Sequence, residues 1–313
     1  MRTLLALVVV LAGTTVADAQ YHCESCGDPP CYTEPSCDFD CCPCPPKMFL
    51  SFKALCMDRD GPDSPLLLND ATGETVFSAS QLDPGWALGS DVTLNRWTTF
   101  GGFQARYMGL YNNSATASTG GFPFDTRDIG GTFNAGARLS YEYQSILNSA
   151  EANFYGTMGR LSLGGGFRWI NLRDVVEYRY MDPMFGNGSP EMDAINNLLG
   201  VQLATHWVCL EGRRLRLEAT GRLGAFENNA EADYKDLAFA FRASDEDSEW
   251  AYVAEAGIDL FFQLSQRCAL TVGVQGMWID GLALAPDQFF TSTINLDGSM
   301  LLYGGSAGFE RRW

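Results

Sequence analysis

The sequence predicts an all-β fold, an antiparallel transmembrane β-barrel of about ten strands of the outer-membrane type. Three observations predict it. Segments of about ten residues alternate apolar and polar side chains. Short and long connections alternate between those segments. Beyond the first residues, no apolar run reaches the roughly 18 to 20 residues of a membrane-spanning helix.

The chain opens as a secretory leader over residues 1–19. Arg2 precedes an apolar run from Leu4 to Gly13, and Ala17-Asp18-Ala19 supplies the small-residue cleavage pattern. The mature chain is expected to begin at Gln20. Cys23 lies beyond the cleavage point, so no lipid anchor is expected.

Residues 20–46 form an extension dense in cysteine and proline and poor in apolar side chains, which cannot build a conventional core. Cys23, Cys26, Cys31, Cys37, Cys41, Cys42 and Cys44, with Cys56 further on, are candidate disulfide partners in an oxidising envelope. The sharper alternative is zinc held by Cys23-x-x-Cys26 beside His22, but the later spacings give no second knuckle. Spacing does not fix the pairing. The odd count before Pro45 leaves a cysteine for Cys56 or for cross-linking to another envelope protein.

Residues 47–313 carry the barrel pattern. Leu199, Val201, Leu203, Thr205, Trp207 and Cys209 share one face of a strand, opposite Gly200, Gln202, Ala204 and His206. Leu215, Leu217, Ala219, Gly221 and Leu223 oppose Arg216, Glu218, Thr220 and Arg222, a separation that a helix does not produce. Similar alternation runs from Tyr252 to Leu264 and from Leu270 to Trp278. It is weaker around Phe49 to Met57, Trp86 to Leu94, Phe103 to Tyr111, Leu139 to Phe154, Leu161 to Asn171 and Met300 to Phe309. Parity switches between Tyr143 and Ile146, which suggests a bulge or an additional short turn.

Short connections are expected at Asn95 to Trp97, Thr157 to Arg160, Glu211 to Arg213 and Ser265 to Arg267. Long polar ones are expected at Asp58 to Pro84, Asn112 to Gly131, Asp174 to Leu198, Glu227 to Glu249 and Gly281 to Ser299. This is the layout of periplasmic turns and external loops, with both chain ends in the periplasm. The final Trp313 is an aromatic terminus of the kind common in such barrels, although Arg311 departs from the apolar residue expected before it. Trp86, Tyr111, Trp207, Trp250, Tyr252 and Trp278, outward near strand ends, suit an interfacial aromatic girdle.

The formal charge of −17 excludes nucleic acid as a partner, since no basic stripe compensates it. Outer-membrane lipid is the partner that the apolar strand faces imply, with small solutes or ions as cargo if the lumen is open.

The stretch EAGIDLFFQLSQRCALTVGVQGMWIDGLALAPDQ, from Glu255 to Gln288, resembles the C-terminal part of a β-barrel porin family described from planctomycete-type bacteria (β-barrel porin-7). So do NSAEANFYG from Asn148, NNLLGVQL from Asn196 and MFLSFKALCMDRDGPDSPLL from Met48. GLALAPDQ, Gly281 to Gln288, is the most specific piece, because barrel alternation alone would not produce it. The resemblance implies an outer-membrane barrel acting as a porin-like channel for small solutes or ions. It carries no catalytic residues, and Cys209 and Cys268 are departures that the pattern does not explain.

The residue group expected to carry function is the lumen-facing ionisable set Arg138, Glu142, Arg168, Arg216, Glu218, Arg222, Glu255 and Asp259. Charges facing lipid cost a few kcal/mol at the midplane, so shared parity assigns these to the interior. They line a pore, or they pair with one another and plug a narrow barrel. The function alternatives are a non-conducting structural or surface-adhesive envelope barrel and a soluble secreted disulfide-rich β-protein.

No enzyme, cofactor or metal is expected. His206 is the only histidine on a lumen face, and its neighbours form no catalytic motif. Asp245, Glu246, Asp247 and Glu249 lack the spacing of a calcium loop and read as a solvated external loop. Gly164-Gly165-Gly166 lies inside a strand pattern and reads as tight lumen packing instead of a phosphate cradle.

Overall fold

The computed structural model describes residues 48–313 except 61–66, 71–74, 79–84, 99–100, 121–123, 127–130, 134–137, 184–185, 237–240 and 291–292. All of these belong to the unit Pro46–Trp313. The leader and the cysteine-rich extension, with the expectations for Cys23, Cys26, Cys31, Cys37, Cys41, Cys42 and Cys44, lie outside the described residues.

The strands are β1 (Met48–Arg59), β2 (Leu67–Asp70), β3 (Thr75–Ser78), β4 (Gly85–Thr98), β5 (Gly101–Gly120), β6 (Phe124–Thr126), β7 (Gly131–Phe133), β8 (Arg138–Met158), β9 (Leu161–Asp182), β10 (Gly186–Gly188), β11 (Glu191–Glu211), β12 (Leu215–Asp236), β13 (Phe241–Ser265), β14 (Cys268–Leu282) and β15 (Gly298–Arg312). Among the described residues, ten long strands close into a ring in the order β1, β4, β5, β8, β9, β11, β12, β13, β14, β15 and back to β1, every pair antiparallel. This is the fold class that the alternation predicts. Closure pairs both edges of each ring strand at the level of the outward apolar residues, the condition for strands to cross a bilayer. The short strands β2, β3, β6 and β7, from the first two long connections, make a separate antiparallel sheet.

At one end, tight turns join β8 to β9, β11 to β12 and β13 to β14, and Met48 and Trp313 exchange backbone hydrogen bonds of 3.2 and 3.1 Å. We call this the turn end and the opposite one the loop end. From the turn end upward, each strand's outward face is apolar. It carries Leu199, Val201 and Leu203 on β11, Ile258, Leu260 and Phe262 on β13, Leu270, Val272 and Val274 on β14, and Phe167 and Trp169 on β9, all exposed. Trp86, Tyr111, Trp250 and Tyr252 are exposed towards the upper edge of this belt. An encircling apolar band with flanking aromatics is the lipid-contacting surface of a membrane barrel. Leu203→Arg is therefore expected to cost about 2–4 kcal/mol in phospholipid vesicles, and Asn229→Arg, above the belt, about 0–1 kcal/mol. Equal losses in urea titrations would contradict the belt.

Above the belt the polarity inverts. On β8 the outward Phe154, Ala152 and Ala150 give way to Asn148, Gln144 and Glu142, while the inward residues become Leu147, Tyr143, Tyr141 and Leu139, all buried. Lipid no longer rewards apolar side chains outside, so they gather inside as in a soluble protein. The parity switch in β8 is this inversion, since β8 pairs with β9 without any register shift from Arg138 to Met158. The bulge expected there lies instead on β5, between Leu110 and Asn113.

The same inversion corrects three of the long connections. Most of the described residues in 112–131, 174–198 and 227–249 are strand, because β5, β9, β11, β12 and β13 continue past the belt with both edges or one edge paired. Backbone pairing persists there although apolar alternation does not.

Candidate functional site

The site is the barrel interior. Midway along the belt, three arginines and three carboxylates converge from six strands. Arg106 of β5 reaches Asp91 of β4 at 2.7 Å and Glu255 of β13 at 2.5 Å. Arg168 of β9 donates to the other Glu255 oxygen at 2.8 Å and to Ser149 at 2.8 Å. Arg222 of β12 lies 2.9 Å from Glu151 of β8 and 3.0 Å from Glu255. Gln202 donates to Glu151 at 2.7 Å and to Asn153 at 2.8 Å. All six ionisable side chains are nearly or wholly buried, and their charges balance three to three. Each carboxylate is met by guanidinium donors, the condition for keeping a charge out of water.

A second balanced set sits nearer the turn end. Lys53 and Asp259 are 2.7 Å apart, Arg216 meets Glu218 at 2.7 Å and Glu310 at 3.0 Å, and Arg312 meets Glu310 at 2.5 Å. Arg216 also stacks its guanidinium 4.2 Å over the Phe261 ring. His206 Nε2 lies 3.0 Å from Glu218, so this histidine is tied into the ion-pair set.

Towards the loop end the filling becomes apolar. Leu55, Met57, Met108, Ile170, Leu198 and Phe226 belong to a buried cluster spanning the interior. Within this end of the barrel is an isolated ion pair. Arg59 donates to both oxygens of Asp174, at 2.9 and 3.0 Å, and to Ser145, while Tyr143 donates to Asp174 at 2.8 Å. Exposure is 1% for the Arg59 side chain and 0% for Asp174.

From the end of β14, residues 282–290 turn into the loop end of the barrel, and 293–296 return beside them. Leu282, Ala283, Leu284 and Ala285 are buried, and a 3-10 helix follows over Ala285–Phe290. Asn196 of β11 holds this segment as a strand partner would, donating to Ala283 O at 2.8 Å and accepting from Ala283 N at 2.7 Å. Asn228 donates to Asn196 and to Gly281 O. Gln288 ties the segment's return by donating to Asn295 O and accepting from Asn295 N, each at 2.8 Å. Ala283, Ala285 and Leu296 pack with Tyr141, Tyr143, Tyr178 and Met192.

Among the described residues, buried side chains occupy the interior at each of these levels. Arg59, Glu151, Asn153, Asn196, Gln202, Glu255 and the buried Leu282 to Ala285 are among these side chains.

Of the expected lumen residues, Arg168, Arg222 and Glu255 meet in the middle set, and Arg216, Glu218 and Asp259 lie in the turn-end set. Arg138 and Glu142 do not face the lumen. They point outward above the belt, where Leu139, Tyr141 and Tyr143 hold the inward parity. Cys56 is exposed on the outward face of β1 and has no disulfide partner among the described residues, its candidate partners lying outside them. Cys209 and Cys268 are also free.

Asp91, Arg106 and Glu151 were missed, as were Lys53, Arg59, Asp174, Glu310 and Arg312. A signal existed for Arg106, whose parity with Gln104 opposes Phe103, Ala105 and Tyr107. Gly164 and Gly166 face inward, and a Cβ on them would meet Tyr155 Cδ1 at 2.8 Å and Asn153 Oδ1, so they do serve tight lumen packing.

Family profiles give no match to the chain, and no curated protein matches it. Solved structures that it resembles include the outer membrane protease OmpT from Escherichia coli, at 9% identity and a TM-score of 0.47 over 85% of this chain and 96% of that one. The translocator domain of autotransporter NalP from Neisseria meningitidis is similar at 12% identity and a TM-score of 0.38, covering 84% and 88%. The toluene transporter TodX of Pseudomonas putida follows at 8% and 0.31, covering 87% and 90%. The fold assignment rests on the closed ring and its belt, and the resemblance to the planctomycete-type porins rests on the quoted residues alone.

Proposed function

We propose that this outer-membrane barrel is non-conducting in the described state and serves as a structural or surface-adhesive envelope protein, acting through what its loop end presents outside the cell. The observation that carries this reading is the Arg106, Arg168, Arg222 set closed on Asp91, Glu151 and Glu255. A porin-like channel needs a continuous aqueous path, and this set, the apolar cluster above it and the buried Leu282 to Ala285 with Leu296 are arranged in series along it. Small barrels are commonly filled by their own side chains. The reading assigns no catalytic step to His206, whose Nε2 lies 3.0 Å from Glu218.

Orientation follows from the short turns and paired termini, which belong on the periplasmic side, with the leader as the export signal. Liposomes carrying the refolded chain should swell in isosmotic arabinose no faster than empty ones. Swelling that scales with protein content would overturn the non-conducting reading.

A further inference from the structure

The strand β13 is much longer than its neighbour. It spans Phe241–Ser265, whereas β14 ends at Leu282, so their pairing begins only at Tyr252↔Asp280. On its other side β13 pairs with β12 up to Asp236↔Phe241. Among the described residues, 241–250 therefore carry one unpaired backbone edge, and every residue there is exposed.

The cause is local. Gly281 has φ +85°, and a Cβ on it would meet Trp250 O at 2.8 Å and Ala251 Cα at 2.9 Å. At that close crossing the chain leaves the β13 edge and turns into the barrel, where Asn196 captures Ala283.

The freed edge is strongly acidic. It carries Asp245, Glu246, Asp247 and Glu249, and Glu246 stands directly across from Glu231 on β12, with Asp233 and Glu227 further along. Like charges directly opposite on a sheet are destabilising. The nearby cations are engaged, Arg242 with Asp233 at 3.0 Å and Lys235 with Glu191 at 3.6 Å. Acids on an open edge disfavour a second copy of the same strand. They favour an occupant of opposite charge. Asp245 already accepts the backbone N–H of Ile294 at 2.9 Å, so a carboxylate of this strip does hold a neighbouring main chain.

We propose that the β13 edge from Arg242 to Trp250 docks an extended cationic polypeptide segment of a partner protein by strand addition. Main-chain hydrogen bonds then supply binding and the acidic side chains supply selectivity. This deepens the surface-adhesive reading by naming the class of partner. It rests on the loop end lying outside the cell.

The test uses the full folded chain in detergent micelles and two labelled nonapeptides of equal charge. One alternates Lys and Thr; the other has prolines at three Thr positions, which removes strand donors. Fluorescence anisotropy should show saturable binding of the first and about tenfold weaker binding of the second. The variant Asp245→Ser/Asp247→Ser/Glu249→Ser should lose about tenfold for the first peptide. Should that variant fail to fold, Glu246→Arg, which also relieves the repulsion from Glu231, should give a similar loss. Equal binding of both peptides would overturn strand addition, and undiminished binding to the variants would overturn the site. Saturable Ca²⁺ binding that abolishes peptide binding would make the strip a cation site and overturn the proposal as well. Peptide binding in micelles and solute flux in liposomes are separate readouts, so failure of this inference is distinguishable from failure of the non-conducting reading.

Discussion

Replacing Glu255 with alanine is expected to destabilise the folded barrel by about 3–5 kcal/mol, because it strips one carboxylate from three buried guanidinium groups at once. Arg106, Arg168 and Arg222 all lie within 3.0 Å of Glu255 oxygens. After the change only Asp91 and Glu151 would remain to balance them. The measurement is the urea midpoint of the chain folded in vesicles, read from tryptophan emission and gel mobility. A lumen carboxylate that merely lined open water would lose little, since water would resolvate the arginines. A loss well under 1 kcal/mol would therefore argue for a wet, open interior.

The second large effect concerns Arg59 and Asp174. This pair is buried beyond the reach of solvent among Tyr143, Ser145 and apolar side chains. Arg59→Ala is expected to cost about 3–5 kcal/mol, since it leaves Asp174 buried without its bidentate partner. The double change Arg59→Met/Asp174→Leu should recover most of that loss, because an apolar pair of similar volume needs no desolvation of charge. If the double variant is as unstable as the single one, the site is not a dry core and the filled-interior account fails at this level.

Which parts of this were legible in the sequence follows from where lipid touches the wall. Below the belt's upper edge, one face of each strand meets lipid and the other meets polar filling, so Leu199 to Cys209 and Leu215 to Leu223 announce their orientation by alternation alone. Arg168, Arg216, Glu218, Arg222, Glu255 and Asp259, assigned to the interior by that logic, lie in the buried and half-buried ion-pair sets. Above the belt the rule reverses. Leu139, Tyr141 and Tyr143 are apolar because they fill a core, and reading them as lipid-facing sent Arg138 and Glu142 to the wrong side. The strands of the loop end were hidden for the same reason, and the acidic run from Asp245 to Glu249 reads as a loop although it is strand.

Pairing across the interior was not legible at all. Contacts such as Arg106 with Glu255 join residues far apart in the chain, and only ring closure sets which strands face each other. Nor does alternation disclose that GLALAPDQ turns inward. That depends on Asn196, an amide on a distant strand whose donor and acceptor match those of Ala283.

The most direct test of the filled barrel is a planar-bilayer recording of the refolded, mobility-verified chain under a steady potential in concentrated salt. A flat baseline is expected for the native protein if the Arg106, Arg168, Arg222 set and the buried Leu282 to Ala285 fill the lumen as proposed. Reproducible unitary current steps from the native chain would contradict it and restore the porin reading.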